Sequence, residues 1–200
     1  EHLLYYSLRT LKFLMEKHGL KIIDASLNDV NGGSLRFFAV HADDPRGVSP
    51  SLCAIEEAEE KLELSKSDTY KRFNDSIQHL KSIVLDFIEQ EKTNGGLVVG
   101  LGASTKGNVL LQYFGITKES LPVISDRYAE KVGLRTLGTD IRVVSEEEAR
   151  DMHPSAMLVL IWFFKDELLK RERDYLERGG KLLFPMPYPH VVTKEGERRL

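Results

Sequence analysis

Between Gly102 and Asn108 the chain reads Gly-Ala-Ser-Thr-Lys-Gly-Asn, a run that concentrates groups suited to holding an anion. Gly102 and Gly107 lack a Cβ, so a phosphate can come close to the backbone there. Around Ala103, the residues Ser104, Thr105 and Asn108 supply neutral hydrogen-bonding groups, and Lys106 supplies a full positive charge. The apolar stretch Leu97, Val98, Val99 and Leu101 comes first and suits a strand buried on both faces. A helical pattern follows, and Gly115 stands where its C-cap belongs. A strand, a glycine-rich turn and a helix together aim unpaired N–H groups and the positive end of the helix dipole at one point. The spacing of Gly100, Gly102 and Gly107 departs from GxGxxG, and Lys106 precedes its glycine, so this is no Walker A loop. The alternative is a turn whose glycines serve packing only.

Ligands of open parallel sheets sit beyond the carboxyl ends of the strands. That rule gathers the 102–108 turn, Asp126 and the Trp162–Lys165 region along one edge. Asp126 follows Gly102 at about the distance where dinucleotide folds place a ribose-binding acid, although an aspartate ending a strand is also an ordinary turn residue. Trp162 has two readings as well: stacking on a base or sugar, or packing. His18, His41, His79, His153 and His190 show no ligand spacing, and no metal site is expected.

The elements that must position these residues follow in order. Ser7 is a good N-cap, and Leu8, Leu11, Leu14 and Met15 recur at helical spacing up to Gly19. Two apolar strands around Asn31-Gly32-Gly33-Ser34 read as a hairpin, which cannot bury both faces alone. Residues 41–51 read as a linker and Leu52 to Leu64 as a helix. A second helix from Ser67 carries Tyr70, Phe73, Ile77, Leu80, Val84 and Phe87 as a seam, expected to lie against a sheet rather than in a coiled coil. After the 97–101 strand, further strands are expected at 122–126, in the apolar run from Ala156, and at 181–187. Ser145-Glu146-Glu147-Glu148 is a capping box, Asp166 to Arg178 an amphipathic helix, and residues 193–200 a frayed end. Alternating strands and helices predict an α/β fold, a Rossmann-like parallel sheet with helices on both faces.

The net charge of −3 gives no reason to expect nucleic acid. A hydrophobic content of 42% can supply a core. The longest apolar run, 156–164, is too short to span a bilayer, so no membrane partner is expected. The single cysteine, Cys53, closes no intrachain disulfide. With no signal-peptide pattern, the chain reads as cytoplasmic.

The string GASTKGN followed by LLQYFGI resembles the C-terminal domain of the sugar C-methyltransferases. So do EHLLYYS at the start, GGSLRFFA at 32–39, DRYAEKVG at 126–133, VSEEEA at 144–149 and LVLIWFFKDE at 158–167. These bacterial enzymes use S-adenosylmethionine to methylate a carbon of a nucleotide-linked keto-sugar. The resemblance implies that residues 1–42 end a class I methyltransferase domain with its terminal helix and hairpin. Residues 43–93 are then linker and helical connector, and 94–192 the Rossmann-like domain. It further implies a nucleotide-sugar substrate, an upstream methyltransferase domain in the same protein, and a cofactor loop that this chain lacks. Glu1 and His2 match the family's Glu-His pair: an imidazole can remove the proton beside a ketone while the carboxylate supports it. Tyr5 and Tyr6 line the same pocket or pack in a core. Where the family more usually has proline and histidine, this chain has Ile161 and Phe163. The alternative function is a non-catalytic nucleotide- or dinucleotide-binding module, and a third reading is a structural domain.

Overall fold

A computed structural model describes residues 4–200. The chain divides into two compact units, the first ending at Asp75 and the second running from Ser76 to Leu200.

In the first unit, helix α1 (Leu8–Lys17) starts from a reciprocal cap: the Ser7 hydroxyl accepts from the Thr10 N–H, and the Thr10 side chain accepts from the Ser7 N–H. Strands β1 (Leu20–Asn28) and β2 (Ser34–His41) form the expected antiparallel hairpin, with a bulge between Ile22 and Asp24. Helix α2 (Pro50–Leu62) is capped by Ser49. The hydroxyls of Ser49 and Ser51 converge on Asp24 Oδ1 at 2.5 and 2.6 Å and hold its carboxyl below the usual carboxylate range. A small core of Leu8, Ile22, Ala25 and Leu52 lies between these elements. Leu27 and Phe38 of the hairpin are exposed, as are Tyr5, Tyr6 and Cys53.

Helix α3 (Ser67–Thr93) is the long seam helix. Val84, Phe87 and Ile88 are buried in the core of the second unit with Ile77 and Leu80 packed beside them, whereas Tyr70 and Phe73 are exposed. Packing against a sheet therefore accounts for the seam from Ile77 onward.

The second unit adds β3 (Val98–Leu101), α4 (Thr105–Phe114), β4 (Val123–Asp126), β5 (Arg142–Ser145), α5 (Glu146–Asp151), β6 (Ala156–Val159), α6 (Lys165–Arg171), α7 (Arg173–Glu177), β7 (Lys181–Phe184), β8 (His190–Thr193) and β9 (Gly196–Arg199). The seven strands lie in the order β5-β4-β3-β6-β7-β8-β9. The first five are parallel, and β8 and β9 are added antiparallel. Alternate residues bury on opposite faces. Val98, Ile124, Leu158 and Leu183 join α3 and α4, while Val99, Leu101, Met157, Val159 and Leu182 join Ala149, Leu168 and Leu176 of α5, α6 and α7. This is a Rossmann-like α/β sheet with helices on both faces. Chain order reverses between β3 and β6, so the switch point lies at their carboxyl ends.

Three expectations need correction, and one strand is added. The apolar run from Ala156 is a strand only as far as Val159, after which Trp162–Phe164 form a 3-10 turn, because the sheet ends there. The helix expected at 166–178 is two short helices. They meet at Glu172, which is 1% exposed and whose carboxylate accepts from Arg150 at 2.9 and 3.1 Å and from Arg171 at 3.1 Å. The added strand is β5, which only Val143 and Val144 mark in the sequence. The expected frayed end is the hairpin β8–β9, tied down by Lys165: its ammonium donates to His190 Nε2 and to Glu197, each at 2.8 Å. His190 Nδ1 faces the Tyr188 carbonyl at 2.9 Å, which leaves Nε2 as the acceptor, and the ring stacks on Phe184.

Two measurements test these contacts. A Cβ on Gly107 would stand 2.6 Å from Leu160 Cβ. Gly107→Ala should therefore lose stability by about 1–3 kcal/mol from overpacking, against a helix-propensity gain of at most ~1 kcal/mol. The denaturant midpoint should fall at unchanged slope; an unchanged or raised midpoint would show that α4 has room to move. At the other end, the hydrogen bond from Lys165 lowers the Glu197 carboxyl below its usual range. Its stabilising effect is then present above the unfolded value of about 4.3 and is lost as pH falls through the lower folded value. Glu197→Gln should melt slightly below the parent at pH 7, by the roughly 0.2–1 kcal/mol of a screened surface pair, and the gap should close in acid. A gap that persists once the carboxyl is protonated in the folded as well as the unfolded state would assign the effect to packing.

Candidate functional site

The site is built where two loops cross beyond β3 and β6. Gly102 turns the chain with φ 87°, a conformation side chains other than glycine rarely adopt, and its N–H donates to Ser125 O at 2.8 Å. Ser104 is the N-cap of α4, its hydroxyl accepting from the Gly107 N–H at 2.9 Å and donating to the Leu160 carbonyl at 2.7 Å. One hydroxyl thus fastens the start of α4 to the exit of β6. Gly107 is where the helix crosses Leu160, and the side chain of Ile161 lies over the bare Cα of Gly102. Protein side chains, Leu160 and Ile161, fill the space that the two missing Cβ atoms leave.

Asp126 ends β4 and is 7% exposed. Its Oδ2 accepts the Ala103 N–H at 2.8 Å and the Lys131 ammonium at 3.1 Å, and its Oδ1 accepts the Tyr128 N–H at 2.9 Å. Lys131 also donates to the Ala103 carbonyl at 2.8 Å. The carboxylate thus latches the glycine-rich turn to the loop after β4, and one of the turn's N–H groups already holds a negative charge.

What faces outward is the first turn of α4 and the 3-10 turn after β6. Thr105 is exposed, and the Lys106 ammonium lies 4.1 Å from the ring centroid of Phe163. Trp162 is half-buried against both faces of the core and tilts on Phe163 with ring centroids 4.7 Å apart. Asn108 Oδ1 is enclosed and accepts no hydrogen bond among the described residues. The structure therefore brings Gly102, Ala103, Ser104, Thr105, Lys106, Gly107, Asn108, Asp126 and Trp162 to one edge, as the strand-end rule expects. Chemically, this edge can offer an incoming anion the helix terminus and the Lys106 ammonium, beside the faces of Trp162 and Phe163.

Sequence reasoning missed Lys131, although an acid and a base five apart in Asp-Arg-Tyr-Ala-Glu-Lys could have marked the pair. It also gave Ile161 no role, because nothing in a sequence says which glycine a side chain will cover. Glu1 and His2 lie outside the described residues. A groove of about 660 Å³ in the first unit, between α1 and α2, holds Glu56 and Glu59, but both are engaged. Glu56 pairs with Lys12, and Glu59 accepts the N–H groups of Leu8 and Arg9. Among the described residues no group of His, Cys, Asp or Glu could hold a metal ion, and no helix is long and apolar enough to cross a membrane.

The chain is 32% identical over 195 residues to the C-methyltransferase NovU of Streptomyces niveus, an alignment that covers 98% of this chain and 46% of NovU. It thus spans about half the length of that relative. A family model described as the C-methyltransferase C-terminal domain matches residues 29–187. The chain belongs to the C-methyltransferase C-terminal domain family.

Proposed function

We propose that this chain is the nucleotide-sugar-binding part of an S-adenosylmethionine-dependent C-methyltransferase, one that methylates a carbon of a nucleotide-linked keto-sugar. The observation that carries this reading is the placement of Lys106 and the first turn of α4 at the switch-point edge, beside Phe163 and Trp162. A diphosphate there meets an ammonium and the positive end of a ten-residue helix, and the aromatic faces lie within reach of its base or sugar.

The residues present do not fit S-adenosylmethionine. The glycine-rich turn between β3 and α4 has its Cβ space filled by Ile161 and Leu160, and its Ala103 N–H is taken by Asp126. In this proposal the cofactor is held by a part of the longer protein outside this chain. What this chain brings to the chemistry is a base: His2 takes the proton beside the ketone, and Glu1 orients the imidazole or stabilises its charged form. Partners and cofactor of the whole protein belong to the proposal, as does its location in the cytoplasm.

Lys106→Ala should weaken nucleotide-sugar binding about ten- to a hundredfold, because a charge-assisted hydrogen bond contributes roughly 1.5–3 kcal/mol. Its melting temperature should move little, and binding by the parent chain should weaken as salt rises. Calorimetry with a dTDP-sugar decides: equal affinity in the two chains removes Lys106 from the site. For His2, the test is turnover of the full-length protein. His2→Ala should cost roughly two to four orders of magnitude while cofactor affinity holds. Activity within a few fold of the parent would reject the base assignment.

A further inference from the structure

A sheet with the order β5-β4-β3-β6-β7 holds dinucleotides, in other proteins, in the crevice between the carboxyl ends of its two central strands. Binding there requires a bare glycine over which the pyrophosphate can pass, and backbone N–H groups to receive it. Here the glycine is covered, and one of those N–H groups is already taken by a carboxylate. A Cβ on Gly102 would meet Ile161 Cγ1, Cδ1 and Cγ2 at 2.6–2.7 Å, so the isoleucine side chain already stands on the glycine. The Ala103 N–H donates to Asp126, a carboxylate that is 7% exposed. A pyrophosphate entering the crevice would take that N–H from a buried negative charge and add its own charges beside it, which is unfavourable on both counts.

We infer that Ile161 sets the ligand class of this site: it closes the switch-point crevice to dinucleotides and confines an anionic ligand to the outer rim made by Thr105, Lys106 and Phe163. The second half rests on the nucleotide-sugar reading given above; the first half stands on the packing alone. Ile161 is held in place from both sides in sequence. The Leu160 carbonyl before it accepts from the Ser104 hydroxyl at 2.7 Å, and its own carbonyl accepts from the Phe164 N–H at 3.0 Å. The plug is therefore part of the loop's fixed geometry. Asp126 completes it, because an acid bound to Ala103 and Lys131 through Oδ2 and to Tyr128 through Oδ1 has both oxygens engaged before any ribose arrives.

The probe is NADH titrated into the whole chain, read by energy transfer from Trp162, the single tryptophan and the residue next to Ile161. The parent should show no saturable transfer. Ile161→Ala, which uncovers Gly102, should bind NADH at least about tenfold more tightly than the limit set for the parent, or about 1.4 kcal/mol. Ile161→Val, which trims only the terminal methyl, should gain less and serves alone if the alanine chain fails to fold. Saturable transfer in the parent overturns the inference, as does a folded variant with no gain. A dTDP-sugar titration of the same chains separates the two readings. Failure of the sugar to bind, with the NADH gain present, removes the rim and leaves the plug standing; sugar binding with no NADH gain does the reverse.

Discussion

The hydroxyl of Ser104 is where the carboxyl edge of the sheet is fixed. It caps α4 through Gly107 and holds the Leu160 carbonyl across the two strands between which chain order reverses. Each such hydrogen bond is worth only about 1 kcal/mol net, but leaving the Leu160 carbonyl buried and unpaired would cost about 1–3 kcal/mol. Much of the site follows from that one bridge. Once the exit of β6 is drawn against the start of α4, the helix can cross it only at a residue with no side chain, which is Gly107. Ile161 then lands on Gly102, and the next turn delivers Trp162 and Phe163 to the flank of Lys106. A glycine-rich turn usually describes room for a ligand; here it describes the closeness of two pieces of the same chain.

Asp126 supplies the second constraint, and it works through charge. A carboxylate with so little exposure is tolerable only if its lone pairs are used, and three donors use them: two backbone N–H groups and the Lys131 ammonium. The same lysine satisfies the Ala103 carbonyl, so the turn and the loop after β4 are joined at both a donor and an acceptor. Both carboxylate oxygens of Asp126 thus accept hydrogen bonds from its own chain.

Much of this fold is legible in the sequence because its strands are short apolar runs bounded by glycine or a cap. The strand before Gly102, the Ser145 cap and the Gly115 stop all announce themselves through residues whose local chemistry permits few alternatives. The unreadable parts are those where tertiary context overrides local pattern. Strand β9 reads Gly-Glu-Arg-Arg, exposed throughout, which is how an edge strand protects itself from pairing with other chains and also how a disordered tail looks. The break at Glu172 is invisible because a glutamate is a good helix former until burial and two arginines claim it. At the site, residue types were legible and their partners were not. Lys106 and Asp126 are both charged and both lie at the right edge, yet one ends over an aromatic ring and the other inside a latch.

That difference bears on how such a site can recognise anything. When a dinucleotide fold receives its ligand through backbone N–H groups, recognition is tied to the path of the main chain and to what glycine leaves open. With Ile161 and Asp126 in that path, the remaining recognition in the proposed reading passes to side chains: an ammonium at the head of α4 and the aromatic faces beside it. An ammonium is a point charge with no preferred ligand plane, so it selects for negative charge more than for shape. An aromatic face accepts any ring of suitable polarity. A rim of this kind holds the shared part of many nucleotide-sugars and discriminates poorly between their sugars. On this reading, the choice of sugar falls to groups that lie against the sugar itself, as the proposed His2 base must, and the 102–108 edge acts as a handle.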